Sequence, residues 1–177
     1  MKLRFLISLA LLLTSSVPLF AETAAETFRR ETVARLPGKP VALFDADDAS
    51  SLPRHADAAD ADFTTVDAPE QPFAKAVRVT VKRRTDPVWK IQLTTCQSLG
   101  PVKRGAVLYI SFSARCAASA AETGGGHFFA TLQQTKTYDS LASLHASPGK
   151  EWTRLHLRAV AGHDYPAKDV ELVFHLR

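Results

Sequence analysis

The sequence predicts an all-β fold, an antiparallel β-sandwich of the jelly-roll type with a short N-terminal helix. Apolar and polar residues alternate in several short segments, such as residues 74–83 and 107–116, which is the pattern of half-buried strands. Turn-forming residues separate these segments, as in GPVKRG at 100–105. No segment after residue 40 has a helical period, which argues against an α/β fold.

The first 21 residues are typical of a secretory signal peptide. Lys2 and Arg4 precede an apolar run from Phe5 to Leu13, and small or polar residues lead to a cleavage point after Ala21. This run is shorter than the roughly 20 residues that a membrane-spanning helix requires. The sequence therefore predicts a secreted or periplasmic protein without stable membrane insertion.

Residues 22–40 are predicted to form a leader or short helix ahead of a β-sandwich domain at 41–177. Thr23 and Glu26 have the spacing of a capping box, and Pro37 follows the last helix-forming residues.

Nine segments of the domain are expected to be strands, each with one face toward the core and one toward water. Residues 45–72 are otherwise expected to be a long loop. The predicted strands are 41–44, 62–66, 74–83, 89–94, 107–116, 127–134, 141–147, 152–160 and 170–177.

The two cysteines of an exported chain could form a disulfide. If residues 88–95 and 107–116 formed a direct hairpin, Cys96 and Cys116 would lie roughly 30 Å apart, because a strand rises about 3.3 Å per residue. A disulfide therefore requires the two strands to lie in different sheets or to run the same way. A buried free thiol is the alternative.

Charge is unevenly distributed along the chain. Residues 22–72 carry 11 acidic and 5 basic side chains, whereas residues 73–177 carry 7 acidic and 15 basic ones. The acidic segment could fold back on the basic one. Alternatively, a basic face could attract a polyanion, and for an exported protein an acidic polysaccharide is a better candidate than nucleic acid.

Sequence motifs for catalysis are absent, since the chain lacks G-x-S-x-G, H-E-x-x-H, a phosphate-binding loop and C-x-x-C. The strand region holds only Glu151 and Glu171 as candidates for paired carboxylates. We therefore predict a protein that is not an enzyme and needs no cofactor. A structural calcium ion is the one metal hypothesis, at Asp45, Asp47 and Asp48.

The polar residues of the predicted strands suggest a binding surface. Amide and guanidinium groups suit sugar hydroxyls, and aromatic rings suit the apolar face of a sugar. A concave sheet lined with such residues would therefore suit a polysaccharide. The outward residues of the strands include Gln92, Tyr109, Ser113, Arg115, Gln133, Arg158 and His175.

Five segments within residues 73–177 carry a resemblance to a known family: KAVRVTVKRRTDPVWKIQL, PVKRGAVLYISFSARC, HFFATLQQ, GKEWTRLHLRAVAG and VELVFHLR. Their order resembles the galactose-binding-like jelly roll of carbohydrate-binding modules, the xylan- and cellulose-binding type often attached to glycoside hydrolases. The resemblance implies a non-catalytic module that binds polysaccharide, with a glycoside hydrolase as a further partner.

The resemblance also implies positions for ligand residues. They come from the Arg-Thr segment, here Arg84, and from the end of the Ser/Phe strand, where Ala114 and Arg115 stand in place of a family aromatic. Trp152 matches a packing residue. The candidate carbohydrate-binding residues are Arg84, Trp89, Gln92, Arg115, Gln133 and His175.

Three questions stay open at this point. Trp89 shares its predicted face with Ile91 and Leu93, so it could pack in the core or stack on a sugar. The family's last strand has no counterpart after VELVFHLR, which predicts an exposed sheet edge near residues 41–45. Finally, two alternatives to sugar binding remain. One is a cell-surface structural or protein-interaction sandwich, and the other is a hydrolase or lyase.

Overall fold

The computed structural model of the protein describes residues 24–44, 52–69, 71–95, 97–120, 122 and 124–176. Within this part of the chain there are one α-helix and nine strands, and every strand pairing is antiparallel. The all-β class with a short N-terminal helix is thus confirmed. The elements are α1 (Ala24–Ala34), β1 (Arg54–His55), β2 (Ala61–Asp67), β3 (Lys75–Val81), β4 (Gln92–Thr94), β5 (Val107–Ala114), β6 (Phe128–Gln134), β7 (Ser140–Ala146), β8 (Thr153–Val160) and β9 (Val170–Leu176).

The strands form two packed layers. One layer is a five-stranded sheet in the order β1-β4-β9-β6-β7, and facing it is the pair β5-β8. A further pair, β2-β3, is joined over its full length of seven residues. The Arg54 guanidinium connects β1 to β2 by donating a hydrogen bond to Thr65 Oγ1 (3.0 Å).

The hydrophobic core lies between the five-stranded sheet and the β5-β8 pair. Leu132 and Leu172 of the sheet, 0% and 3% exposed, share one cluster with Leu108 and Leu157 of the pair. Alternation along each strand explains this arrangement, because every second side chain of a strand points to the same face. In β5, β8 and β9, the apolar residues that alternate along the sequence are therefore the ones that form or contact the core.

Two predicted strands differ in the structure. The segment 89–94 is a strand only from Gln92, because a 3₁₀ helix at Val88–Lys90 precedes it, closed by a hydrogen bond from Lys90 N to the Pro87 carbonyl (3.2 Å). Trp89 sits on this short helix and is 59% exposed, so the core-packing interpretation is wrong.

Residues 41–44 form no strand, and the sheet edge predicted there is not found. Val41 is 89% exposed, whereas Leu43 and Phe44 both pack against the core. Two consecutive residues facing the core are incompatible with the alternating faces of a strand. The segment is held instead by the Leu99 amide, which donates to the Leu43 carbonyl (2.9 Å).

The strands β4 and β5 lie in opposite layers rather than in one hairpin. The chain passes between them through a turn in which Gly105 has a φ of +82°, a conformation that favours glycine. Cys116, just after β5, is a buried free thiol whose Sγ contacts the Ala118 carbonyl oxygen at 3.1 Å. The free-thiol alternative holds for Cys116, while Cys96 lies outside the described residues.

Part of the acidic segment folds back on basic residues, as one of the two charge hypotheses predicted. Across β2-β3, Asp62 pairs with Lys82 (2.7 Å) and Asp67 with Lys75. The hydrogen bond from Lys75 lowers the pKa of Asp67 below its usual value. Beside this hairpin, the buried Asp60 carboxylate pairs with the Arg83 guanidinium.

Helix α1 packs on the outward side of β8. The Arg154 guanidinium lies 4.2 Å from the centre of the Phe28 ring and donates a hydrogen bond to Thr32 Oγ1 (3.0 Å). Among the described residues no helix has both the length and the hydropathy needed to cross a bilayer. The predicted signal peptide at residues 1–21 lies outside the described residues.

Candidate functional site

The outward face of the five-stranded sheet carries one row of polar and aromatic side chains, with one residue from each strand. His55 lies opposite Gln92, and Gln92 lies opposite His175. His175 in turn pairs with Phe129, and Phe129 with His145. Since neighbouring strands are about 4.8 Å apart, the row is roughly 19 Å long. We call these five residues the histidine row.

One end of the histidine row is aromatic. The rings of Phe129 and His145 are stacked, with centroids 4.6 Å apart and an interplanar angle of 16°. His127 lies next to this pair, 6.0 Å from the His145 ring, and its Nδ1 is 2.7 Å from Ser147 Oγ. Strand side chains stand roughly perpendicular to their sheet, so the stacked rings project outward.

The other end of the histidine row is polar. Within the described part of the chain, the side chains of His55, Gln92 and His175 make no hydrogen bond or ion pair. Partial burial lowers the pKa of His175, because desolvation disfavours its charged form. A neutral imidazole and an amide each offer both a donor and an acceptor. These three side chains can therefore bind a polar ligand without breaking an existing contact.

Two further rows follow on the same face. In the next row Val173 lies between Thr94 and Thr131, and Ser143 Oγ donates to Thr131 Oγ1 (3.1 Å). In the row beyond it, the Gln133 amide donates to Glu171 Oε1 (3.0 Å).

The centre of this outward face is buried although it faces away from the core. Val173 is 0% and Gln133 is 7% exposed, whereas His55 and His145, on the edge strands, are exposed. These side chains at the middle of the face are therefore nearly inaccessible to solvent, whereas those on its two edge strands are accessible.

The outward face of the β5-β8 pair differs in its contacts. Tyr109 OH lies 2.6 Å from His156 Nδ1, and the two rings are stacked at 5.6 Å. The Arg154 Nε donates to Ser111 Oγ (2.6 Å), and the Arg158 guanidinium lies 5.9 Å from the Tyr109 ring centre. Its polar groups are thus largely engaged with one another.

Of the six site residues predicted from the sequence, three lie on the outward face of the five-stranded sheet and three lie elsewhere. Gln92 and His175 are direct cross-strand neighbours, and Gln133 lies on the same face two rows away. The other three predicted site residues lie apart from the sheet face. Arg115 follows β5 in the other layer, with its guanidinium 5.0 Å from the Trp152 ring centre, and Arg84 is exposed in the segment after β3.

The seven outward residues named from the sequence therefore lie on two different layers. Tyr109, Ser113 and Arg158 lie on the outward face of β5-β8, as their register shows, and Arg115 follows on that layer. Alternation assigns a residue to the outside of its own sheet, but it does not say which of two sheets the strand joins. Trp89 is the remaining predicted residue, and it precedes Gln92 on a 3₁₀ helix that contacts β9.

Three residues of the histidine row were missed by the sequence reasoning. Phe129 and His145 carried a usable signal, because Ala130 and Leu144 beside them are core-facing and alternation then places both outward. His55 carried none, because it lies in a strand of only two residues within a predicted loop.

No group of three or more His, Cys, Asp or Glu side chains among the described residues could hold a metal ion. The three aspartates of the calcium hypothesis, Asp45, Asp47 and Asp48, lie outside the described residues. Calcium binding there stays a prediction.

The fold is similar to that of a solved carbohydrate-binding module. A structure described as "CBM4 structure and function" matches with a TM-score of 0.51 and 13% sequence identity, over 75% of this chain and 78% of that chain. An arabinose-bound α-L-arabinofuranosidase, MgGH51, matches with a TM-score of 0.43 and 12% identity, over 77% of this chain and 22% of that chain. No protein-family model matches the chain, and no curated protein matches its sequence. At this identity the first likeness shows a shared fold: the chain is a β-sandwich of the kind found in that carbohydrate-binding module.

Proposed function

We propose that this protein is an exported, non-catalytic carbohydrate-binding module that holds a polysaccharide across the histidine row. One observation carries the proposal: three polar side chains that make no hydrogen bond or ion pair in the described part of the chain stand in line with a stacked aromatic pair. Sugars need both kinds of group, because their hydroxyls require fixed donors and acceptors and their ring faces pack on aromatic surfaces. A shared fold with a carbohydrate-binding module supports the proposal.

The burial of the face supports a groove rather than a flat surface. Within the histidine row, Gln92, His175 and Phe129 are half-buried, whereas the end residues His55 and His145 are exposed. A bound chain would therefore run along the row between the two edge strands. A row of roughly 19 Å offers contacts to several consecutive sugar units rather than to one.

Trp89 is the candidate for a further stacking platform. It is exposed, lies three residues before Gln92, and sits on a short helix that contacts the central strand β9. A large apolar ring exposed to water beside a polar row is the type of surface that a sugar ring can cover. Neutral xylan- or cellulose-like chains are the first ligands to test, since the partnerless groups of the row include no carboxylate, lysine or arginine.

Affinity gel electrophoresis on residues 22–177 tests this function. The gels contain xylan, cellulose derivatives or no polysaccharide, and the variants are Phe129→Ala, Gln92→Ala and Trp89→Ala. Tyr109→Ala is the matched control, because it removes an aromatic ring from the opposite layer.

We expect retardation of the native protein by at least one neutral polysaccharide. Phe129→Ala should weaken it about tenfold, which corresponds to ~1.4 kcal/mol, and Tyr109→Ala should leave it unchanged. Native protein that is folded but not retarded by any neutral polysaccharide would refute the proposal and favour a protein-interaction module.

A further inference from the structure

The outward face of the β5-β8 pair holds a line of basic side chains. Arg154, His156 and Arg158 alternate along β8, and each faces an uncharged residue of β5. Arg115, just beyond β5, extends the line past Arg154. With a rise of about 3.3 Å per residue, Arg154 and Arg158 lie roughly 13 Å apart along the strand. We call these four residues the basic line.

The arginines of the basic line are not neutralised by carboxylates. Among the described residues, Arg115, Arg154 and Arg158 form no ion pair, and their contacts are to rings and hydroxyl groups. Four other cations of the described residues differ in this respect, since Lys75, Lys82, Arg83 and Lys103 each pair with an aspartate. The acidic segment that folds back on β3 therefore leaves the charge of β8 uncompensated.

Two aromatic rings accompany the basic line. The Arg115 guanidinium lies 5.0 Å from the Trp152 ring centre, and that of Arg158 lies 5.9 Å from the Tyr109 ring centre. A ring beside a guanidinium restricts the side chain while leaving its N–H groups able to bind an anion. Arg154, between them, is half-buried beneath α1, where it contacts Phe28 and Thr32, and it also donates to Ser111. Arg115 and Arg158 are therefore the exposed guanidinium groups of the line.

We propose that the basic line is a second binding surface, separate from the histidine row, for an acidic polysaccharide with carboxylate or sulfate groups. Arg154 and Arg158 recur along β8, and Arg115 continues their line beyond the end of the strand pair. This arrangement matches an extended chain with regularly spaced anionic groups. Guanidinium groups bind carboxylates and sulfates through charge-assisted hydrogen bonds, and aromatic rings beside them can pack on the sugar rings.

A membrane surface fits this face less well. The exposed apolar residues of the pair are Val107 and Val160, which face each other at one end of the strands and are 74% and 64% exposed. Two valines give little apolar area for insertion between lipids. The cations, in contrast, extend over the length of β8.

Isothermal titration and affinity gels with polygalacturonate, heparin and neutral xylan test the proposal on residues 22–177. The variants are Arg158→Ala and the double change Arg115→Ala with Arg158→Ala. Lys103→Ala is the control, because it also removes an exposed cation but one that is paired with Asp164. Phe129→Ala marks the histidine row, so that failure of one surface can be distinguished from failure of the other.

We expect native protein to bind polygalacturonate or heparin at low salt and to lose most of this binding near 0.5 M salt, because screening weakens exposed charges. The double variant should bind at least about tenfold more weakly, which is ~1.4 kcal/mol, while its behaviour toward xylan stays that of native protein. Lys103→Ala and Phe129→Ala should keep the acidic-polysaccharide affinity.

Three results would overturn the proposal. The first is no binding of native protein to either acidic polysaccharide at low salt. The second is a folded double variant that binds them as native protein does. The third is stronger capture by vesicles of phosphatidylglycerol and phosphatidylcholine than by either polysaccharide, with Val160→Ser abolishing that capture.

Discussion

The two outward faces of the sandwich carry similar residue types but use them differently. On the five-stranded sheet, Gln92 and His175 have no hydrogen-bond partner among the described residues, although the centre of their face is buried. On the β5-β8 pair, Tyr109 and His156 bond to each other, although they lie on an open face. For a neutral ligand such as a sugar, the five-stranded sheet is therefore the better candidate face, because hydrogen-bonding groups on it are still available.

Strand order explains part of this difference. β9 lies inside the five-stranded sheet with neighbours on both sides, so Val173 is enclosed by flanking strands. β8 pairs with β5 alone, and Val160 at its end stays 64% exposed. Four predictions test how far the two faces differ, beginning with the largest expected effect.

The two outward faces should differ most clearly in how much a newly introduced carboxylate lowers the free energy of unfolding. Val173→Asp puts a carboxylate at a fully buried position, on the same face as Glu171, and should lower the free energy of unfolding by about 3–5 kcal/mol. Val160→Asp, the matched change on the open face, should alter it by less than ~0.5 kcal/mol. Urea unfolding measures both, and equal effects would show that the two faces are equally exposed.

Removal of one arginine should affect helix α1, and removal of its neighbour should not. Arg154→Ala deletes the contact with Phe28 and the hydrogen bond to Thr32, worth together about 1–2 kcal/mol. Hydrogen exchange of the amides in α1 should therefore become faster. Arg158 contacts the Tyr109 ring of β5, so Arg158→Ala serves as the control. Faster exchange in both variants, or in neither, would contradict the observed docking of the helix.

The buried amide of Gln133 should act in stability rather than in ligand contact. Gln133→Ala removes its hydrogen bond to Glu171 and should lower the free energy of unfolding by about 1 kcal/mol. Ser143→Ala, on the same face but exposed, should change it by less than ~0.5 kcal/mol. If Gln133→Ala abolishes sugar binding without any loss of stability, Gln133 is a direct ligand residue instead.

The smallest effect concerns pH. Burial lowers the pKa of His175, so the unfolded chain takes up its proton at a higher pH than the folded protein does. This contribution to stability is complete above the unfolded pKa of about 6.5 and is lost as the pH falls below it. His175→Gln should reduce that loss in thermal-melting curves between pH 7 and 5; an unchanged pH profile would show that the imidazole is not desolvated.

Alternation along the chain was sufficient to predict strands with one buried face, and with them much of the core. The inward positions Leu108, Leu157 and Leu172 follow from the period of two, and each lies in the core cluster. Strand pairing was not predictable in the same way, because it depends on which edges meet in space. For this reason Arg115 and Gln92, both outward in the sequence pattern, lie on different layers.

Local backbone chemistry explains the other differences. Pro87 precedes Trp89 and supplies the carbonyl that closes the 3₁₀ turn, which shortens β4 and exposes the tryptophan. His55 belongs to a strand of two residues that exists only because β4 pairs with it. Such short pairings leave no periodic signal in a sequence.

An NMR titration of ¹⁵N-labelled residues 22–177 with a neutral xylo- or cello-oligosaccharide tests the central proposal most directly. If the histidine row is the sugar site, amide shifts should be confined to β1, β4, β6, β7 and β9, around the five residues of the row. The amides of β5 and β8 should stay unchanged. Shifts centred on Tyr109 and Arg158, or no shifts at a saturating concentration, would contradict the proposal.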